Sequence, residues 1–491
     1  MPTYARLPIV AIIGGGFTGT AIALHLANGA RAGHEARIVV FEPRTELGKG
    51  LAYDTQEPTN RINVPASKMS LFPDEPDSFS RWIEETNALA GDNEAFALDG
   101  QPFPRRHVFG DYVHAKIAPL LSSGAVEHRQ ARVTAMTRSS GRWRVSADDG
   151  SDLEADFIVL ATSHPETSPP RVLSPLAGDP RYITDPTAAG ALDMIDKQDR
   201  VLIVGNGLTS ADVVAALTER GHVGPIISIS RRGLRSRGHP AVAGDPYGDF
   251  VSQPARSASQ LLSRIRKTLR ETGELGLGWH VVLDAVRGQG QEIWRTLPLS
   301  ERRRLVRHVR PYWDAHRFRI APQVENVLDH AVRTGRLEIL AASIASASRT
   351  DDALSIVVRL RGRHVERELM VDAVVVTTGP AHGSILGSQP FLAELGRRGQ
   401  LSLCPSGLGL MCDDRSRALG ADGHVAPGLF IGGPLARGTF GELMGLPQVT
   451  DHAVFVADQL RTALAEIVMK SEASRQVAGS FPQEGIELSV G

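Results

Sequence analysis

Residues 9–19 read Ile9-Val10-Ala11-Ile12-Ile13-Gly14-Gly15-Gly16-Phe17-Thr18-Gly19. The apolar, largely β-branched run is that of a strand buried on both faces, and it leads straight into glycine. Gly14, Gly16 and Gly19 then form GxGxxG. In a strand-to-helix turn the first glycine makes the tight bend, the second lets backbone approach a pyrophosphate, and the third lets helix and strand pack closely. The spacing predicts a helix from about Thr18 to Ala27, with small residues Ala21, Ala23 and Ala27, and then a second strand over Ile38–Phe41. Glu42 ends that strand, where a carboxylate can accept the hydroxyl hydrogens of an adenosine ribose. One βαβ unit with a dinucleotide cradle is therefore expected almost at the start of the chain, its helix N-terminus turned to the phosphates.

The pattern recurs. Val201–Val204 reads as a buried strand, Gly205, Gly207 and Ser210 as a second fingerprint with a small residue in third place, Leu208–Leu217 as a helix and Ile226–Ser230 as the second strand. Arg231 and Arg232 stand where the first unit has its acid. Guanidinium groups there favour a 2′-phosphate and hence NADPH over NADH, although arginine is abundant throughout this chain. Each half also carries what reads as a three-stranded meander ending in an apolar strand, with VLATSHP closing one and VVVTTGP the other. The expected class is α/β, with two Rossmann-like dinucleotide-binding domains and a helical insertion in the second. The boundaries read as 1–165 and 381–470 for the two parts of the first domain, and 190–380 for the second. The insertion spans about 250–336, and a loosely ordered tail covers 471–491.

At 491 residues, 42% apolar and 22% charged, the chain can bury a large core. A net charge of -1 gives no global field that would draw nucleic acid or anionic lipid. Cys404 and Cys412 are the only cysteines. They fit neither a disulfide framework, nor zinc ligation, nor a redox CxxC, so no metal is expected and a reducing, cytoplasmic setting is. No apolar run approaches the length of a membrane span. Two dinucleotide sites in one chain suit a flavin, FAD, at the first and the nicotinamide that reduces it at the second.

Five stretches carry a more specific resemblance: GGGFTGTAIALHL, KGLAYDT, NRINVPASKMSLFPD, RHVRPYWDAHRFRIAP and GLFIGGPLARGTFGELMGLPQV. Over nearly the whole chain they resemble bacterial FAD/NAD(P)-binding proteins of the YdhS type, distant relatives of class B flavin monooxygenases and N-hydroxylating monooxygenases. The resemblance implies that Gly14, Gly16, Phe17, Thr18, Gly19 and Glu42 hold the ADP half of FAD and that Val133 brackets the adenine through its backbone. It places Lys49, Gly50, Leu51, Asn63 and Val64 beside the ribityl chain and ring, and Thr162, Gly433 and Pro434 against the same cofactor. A helix near Thr439–Leu446 would point its N-terminus at the flavin. Asn63, His316 and Arg317 are the candidate catalytic residues. The implied reaction is NADPH-dependent hydroxylation of a small polar substrate, amines included, by molecular oxygen through a C4a-hydroperoxyflavin.

The linker fingerprint FxGxxxH of oxygenating relatives is not met, because the stretch after Pro165–Pro170 runs to Tyr182-ITDPT. This leaves open a flavin reductase or dehydrogenase without oxygen insertion, and a non-enzymatic flavin-bound sensor or partner-binding module docking through the arginine-rich insertion. His107, His164, His308 and His316 are each more often structural or exposed than catalytic. The arginines of 302–319 could equally form a solvated helical face.

Overall fold

A computed structural model describes residues 6–29, 36–163, 165, 167–362, 365–379 and 382–479. Its strands are β1 (Ile9–Ile13), β2 (Arg37–Phe41), β3 (Val126–Arg129), β4 (Val133–Ser139), β5 (Arg142–Ala147), β6 (Asp152–Ala155), β7 (Phe157–Leu160), β8 (Tyr182–Ile183), β9 (Val201–Val204), β10 (Ile226–Ser230), β11 (Leu337–Arg349), β12 (Leu354–Leu360), β13 (Glu366–Val371), β14 (Ala373–Val376), β15 (Arg417–Leu419) and β16 (Val425–Ile431). They form a six-stranded sheet ordered β15-β16-β7-β1-β2-β3, a seven-stranded sheet ordered β13-β12-β11-β10-β9-β14-β8, and a separate three-stranded meander β4-β5-β6.

Both large sheets repeat one plan. The first strand of each unit lies beside its second and fourth, all parallel, and the third flanks the second. This is the doubly wound order expected of two dinucleotide-binding units, with a crevice at the carboxyl ends of the central strands. The all-apolar β1, β7, β9 and β14 are buried along their length, as parallel strands covered on both faces must be.

The meanders differ from the expectation in one respect. A short strand, β6 in one half and β13 in the other, closes each antiparallel hairpin, and the following apolar strand leaves to join the parallel sheet. The reason is legible in composition: Asp152–Ala155 and Glu366–Val371 alternate in burial, whereas β7 and β14 have two faces to bury.

Between the strands of the second unit lies the expected helical insertion, from Ala258–Glu274 to Pro322–Arg333. It has an apolar cluster of its own around Phe250, Leu261, Val282 and Ile293. Leu299–His308 fully buries no side chain; Arg303, Arg304 and Arg307 are exposed, whereas Arg302 donates to the Leu297 carbonyl at 2.8 Å and stacks over Trp294. Pro311 begins the helix Arg310–Arg317 and does not kink it.

After β16 the chain does not form the helix expected near Thr439–Leu446. A short turn of helix, Arg437–Phe440, stops at Gly441 with φ of 81°, and Gly445 and Pro447 defer the next helix to Gln448. That helix, Gln448–Gly479, lies along Phe17–Asn28, where Arg461 donates to the His25 carbonyl at 2.8 Å. It continues through Gly479, into the stretch read as a tail; 480–491 lie outside the described residues, as does His164. Among the described residues no helix is long and apolar enough to cross a membrane.

Candidate functional site

The first glycine turn is held from three sides. Glu42, 4% exposed, accepts the Gly15 N–H through Oε2 at 3.0 Å, and through Oε1 it accepts the backbone N–H and a guanidinium N–H of Arg44 at 3.2 and 3.0 Å. The carboxylate expected at a ribose therefore also braces the turn. The Gly14 N–H bonds the Phe41 carbonyl, and the Gly15 carbonyl accepts from Gly48 at 2.8 Å, which draws the KGLAYDT stretch under the glycines. Gly14 has φ of 103°, and a Cβ on Gly19 would lie 1.9 Å from the Gly14 carbonyl oxygen, so helix and strand meet there without room for any side chain.

Gly16 is different. A Cβ there would meet only the Gly50 Cα at 3.4 Å, ordinary contact. Packing inside the protein does not demand glycine at this position, whereas a phosphate laid against the backbone does. Leu51, on the turn Gly50–Tyr53, is 57% exposed, an apolar face beside the cradle. Lys49 is committed elsewhere: burial disfavours its charge, but Asp111 at 2.8 Å and Glu46 at 2.5 Å outweigh that and hold the ammonium above its usual range. The Thr162 hydroxyl is buried behind Gly14 with no partner among the described residues. Val133 is buried at the start of β4. Gly433, with φ of 59°, sits against Thr18, where a Cβ would be 2.6 Å from Oγ1. Its N–H goes to the His452 Nδ1 at 3.1 Å, and burial pushes that imidazole down to about 3. Pro434 follows with no N–H to give, at the head of a short 3-10 turn.

The second cradle repeats the first by other means. Gly205 has φ of 128° and lies against the Thr377 carbonyl, while a Cβ on Gly207 would meet nothing within 4 Å. Ser210 in third place bonds Ser228 at 3.2 Å, and Asn206 reaches Ser230 at 3.2 Å, so a hydroxyl and amide network stiffens the turn. A small crevice beside Gly207 is lined by Ser210, Ser228, Arg235 and Ser236 together with the apolar Val214, Ile320, Leu328 and Ile339. Arg231 is exposed at the end of β10 and its carbonyl faces Arg361. Arg232 turns to the insertion and stacks over Tyr312 at 5.1 Å. The residues present in both turns thus fit the phosphates of an adenine dinucleotide: free backbone at Gly16 and Gly207, helix N-termini behind them, a carboxylate paired with Arg44 at the first strand end and two arginines without such an acid at the second.

The two units meet at Asn63, whose carbonyl accepts from the His239 ring at 3.0 Å. Desolvation drives His239 down to about 4, so the neutral tautomer with its proton on Nε2 makes this bond. A second joint is Arg106 to Asp212, 2.8 Å. Neither His239 nor Asp212 stood out in the sequence; a lone histidine in a Gly- and Pro-rich loop and an aspartate inside a helix carry no motif.

The insertion brings Arg317 to the segment after Gly433. Arg317, 8% exposed, donates through Nε to Glu442 at 2.7 Å. His316 does not join it: its Nδ1 bonds the Tyr312 carbonyl at 2.7 Å and its ring stands edge-on to Trp279. Asn63 lies with the His239 joint, so the three candidate catalytic residues do not form one cluster through any hydrogen bond. Glu442 and Arg437 stand in the quoted GLFIGGPLARGTFGELMGLPQV, but nothing in their spacing identified them singly.

Residues 11–165 match a protein family described as FAD-NAD(P)-binding. The match spans the first cradle, Glu42, the KGLAYDT stretch and Asn63. A comparison with curated protein sequences gives no match. The whole fold is similar to that of ornithine hydroxylase from Pseudomonas aeruginosa, at 17% identity over 94% of this chain and 100% of that one, with a TM-score of 0.62. It is similar to L-lysine 6-monooxygenase from Pseudomonas syringae, at 19% identity over 93% and 99%, TM-score 0.62. It is also similar to ornithine N-hydroxylase from Kutzneria sp. 744 with reduced FAD, NADP+ and L-ornithine, at 15% identity over 94% and 99%, TM-score 0.62. At such identities the likeness is one of fold, and it bears out the α/β class with two dinucleotide-binding units.

Proposed function

We propose that the protein is an FAD-containing, NADPH-dependent flavin monooxygenase that hydroxylates a small polar substrate, an amine among the candidates, and that it is of the YdhS type its motifs resemble. One observation carries this: two glycine turns whose middle glycines, Gly16 and Gly207, keep their backbone clear for a phosphate, on two sheets joined at Asn63–His239. Bound flavin supplies two-electron chemistry, taking hydride from the nicotinamide and activating oxygen.

This chain's residues supply position and seclusion. Gly14, Gly16, Phe17, Thr18, Gly19 and Glu42 would grip the ADP half of FAD, with Val133 and Thr162 alongside; Gly50, Leu51, Asn63 and Val64 would flank the ribityl chain and ring. Lys49 would order that loop through Glu46 and Asp111. Gly205, Gly207 and Ser210 would hold the NADPH phosphates, with Arg231 and Arg232 at the 2′-phosphate. Gly433 and Pro434 would close the first cradle against Thr18. The insertion would cover the site and keep water from it.

The test is a two-stage assay on purified yellow protein. Anaerobic NADPH should bleach the flavin faster than NADH. Oxygen then added with a panel of amines, thioethers and ketones should yield a hydroxylated product in step with NADPH consumed. Bleaching followed only by peroxide, with every compound, would favour the reductase reading that the missing FxGxxxH supports. Protein that neither carries nor takes up FAD would end both.

A further inference from the structure

Four guanidinium groups converge where the insertion meets the segment after Gly433. Arg317 and Arg437 are 8% and 6% exposed. Arg317 spends Nε on Glu442 and leaves Nη2 buried with no partner among the described residues; Arg437 leaves both Nε and Nη1 so. Arg287 gives Nη2 to the Leu446 carbonyl at 2.6 Å and to Gln448 at 2.9 Å, and its Nε is buried unpaired. Arg310 pairs with Asp314 at 3.1 Å. Glu442 and Asp314 oppose these four cations, and Asp284 near Arg287 is itself paired with Arg319 at 2.7 Å, so among the described residues positive charge is in excess.

A buried charged donor without an acceptor costs more than a neutral one. Water could take up the hydrogen bonds, but it brings no negative charge. An oxyanion does both, and its paired oxygens match the guanidinium fork. Burial, with Arg317 beside Arg287 and Arg310 beside Arg437, lowers both guanidinium groups to about 10. Asp314 is paired with Arg310 through Oδ2 and leaves its buried Oδ1 without a partner among the described residues. The dinucleotide phosphates have their own cradles at Gly14–Gly19 and Gly205–Ser210, which leaves this cluster for a third anionic group.

We propose that Arg287, Arg317 and Arg437 bind the anionic group, a carboxylate or phosphate, of the molecule acted on at the flavin site. This rests on the monooxygenase reading for the identity of that molecule, but not for the anion site itself.

The experiment titrates the protein, as purified with its flavin, with glutarate and separately with inorganic phosphate, at constant ionic strength in chloride. Tryptophan fluorescence is the readout, because Trp294 donates to the Gly438 carbonyl beside Arg437. A saturable response to either anion, absent with neutral glutaramide, is expected, and the better probe tells carboxylate from phosphate. Arg437→Gln and Arg317→Gln should weaken it at least tenfold, Arg317→Lys less, and the exposed Arg304→Gln not at all. No saturable response from the unaltered protein, or an equal one in Arg437→Gln, overturns the proposal. Flavin bleaching by NADPH is measured in parallel. Anion binding without bleaching sinks the monooxygenase reading alone, and bleaching without anion binding sinks the anion site alone.

Discussion

The Arg106 guanidinium donates to the Asp212 carboxylate at 2.8 Å, and through Nε it also donates to the Arg61 carbonyl at 2.9 Å. One side chain thus ties the helix Arg106–Ser122 of the first unit and the strap before Asn63 to the helix Leu208–Glu219 of the second. Cutting one partner of such a part-buried pair leaves the other charge desolvated. Asp212→Ala should therefore cost about 2–3 kcal/mol, more than the doubly substituted Arg106→Met, Asp212→Leu. Denaturant unfolding of the two variants beside the parent measures it; equal losses would mean the pair contributes only packing.

The missing Cβ atoms separate glycines that the fold needs from glycines that a ligand needs. Gly207→Ala, with open space around the new methyl, should unfold within about 0.5 kcal/mol of the parent yet bind NADPH at least tenfold more weakly. Isothermal titration and thermal melts on the same sample check both halves.

Gly19→Ala is the opposite case. Its methyl would sit 1.9 Å from the Gly14 oxygen, so helix and strand must separate. A loss of about 3 kcal/mol or more is expected, together with loss of bound flavin. Gly16→Ala, with a contact of 3.4 Å, should lose flavin and keep its fold.

Arg231→Ala and Arg232→Ala should each weaken NADPH roughly tenfold, the scale of one charge-assisted hydrogen bond, and leave NADH little changed. Arg232 has a second job in its stack on Tyr312, so Tyr312→Leu should reproduce part of its effect. Competition of the two nucleotides for flavin reduction reads out the ratio.

His239 sets a pH dependence. Its ring is held near 4 in the folded protein by desolvation, against an ordinary value of 6.5. The unfolded chain therefore binds more protons between those limits, so the stabilisation is whole above pH 6.5 and is lost as pH falls toward 4. His239→Gln keeps a donor for the Asn63 carbonyl but does not titrate. Its stability should fall less than the parent's over that window, by up to about 3 kcal/mol. Parallel urea curves at pH 7 and pH 4.5 would show the difference, and an equal loss of unfolding free energy in the two proteins would refute it.

The sequence was most informative where one local rule sufficed. Strand, turn and helix at Ile9–Gly19 and again at Val201–Ser210 follow from apolar runs meeting glycine, and both units stand as read. Reading failed where the answer lay in a distant partner. The helix that the resemblance implied at Thr439–Leu446 gave way to Gly441, Gly445 and Pro447, breakers that stop the turn Arg437–Phe440 and defer the next helix to Gln448. Likewise, Arg317 stands beside His316 in the candidate catalytic set, yet its partner is Glu442, 125 residues on. Successive residues on a helix point apart, and the fold pairs by space.

The order of strands has a consequence for biosynthesis. β7 rests between β1 and β16, and β16 is Val425–Ile431. A ribosome that has released β1 through β7 has still to deliver some 260 residues, at roughly 5–20 per second, before that edge is covered. The later-made nucleotide module can thus be finished while the earlier one still offers an unpaired strand to its surroundings, and a nascent chain arrested short of residue 425 would be a candidate for chaperone capture.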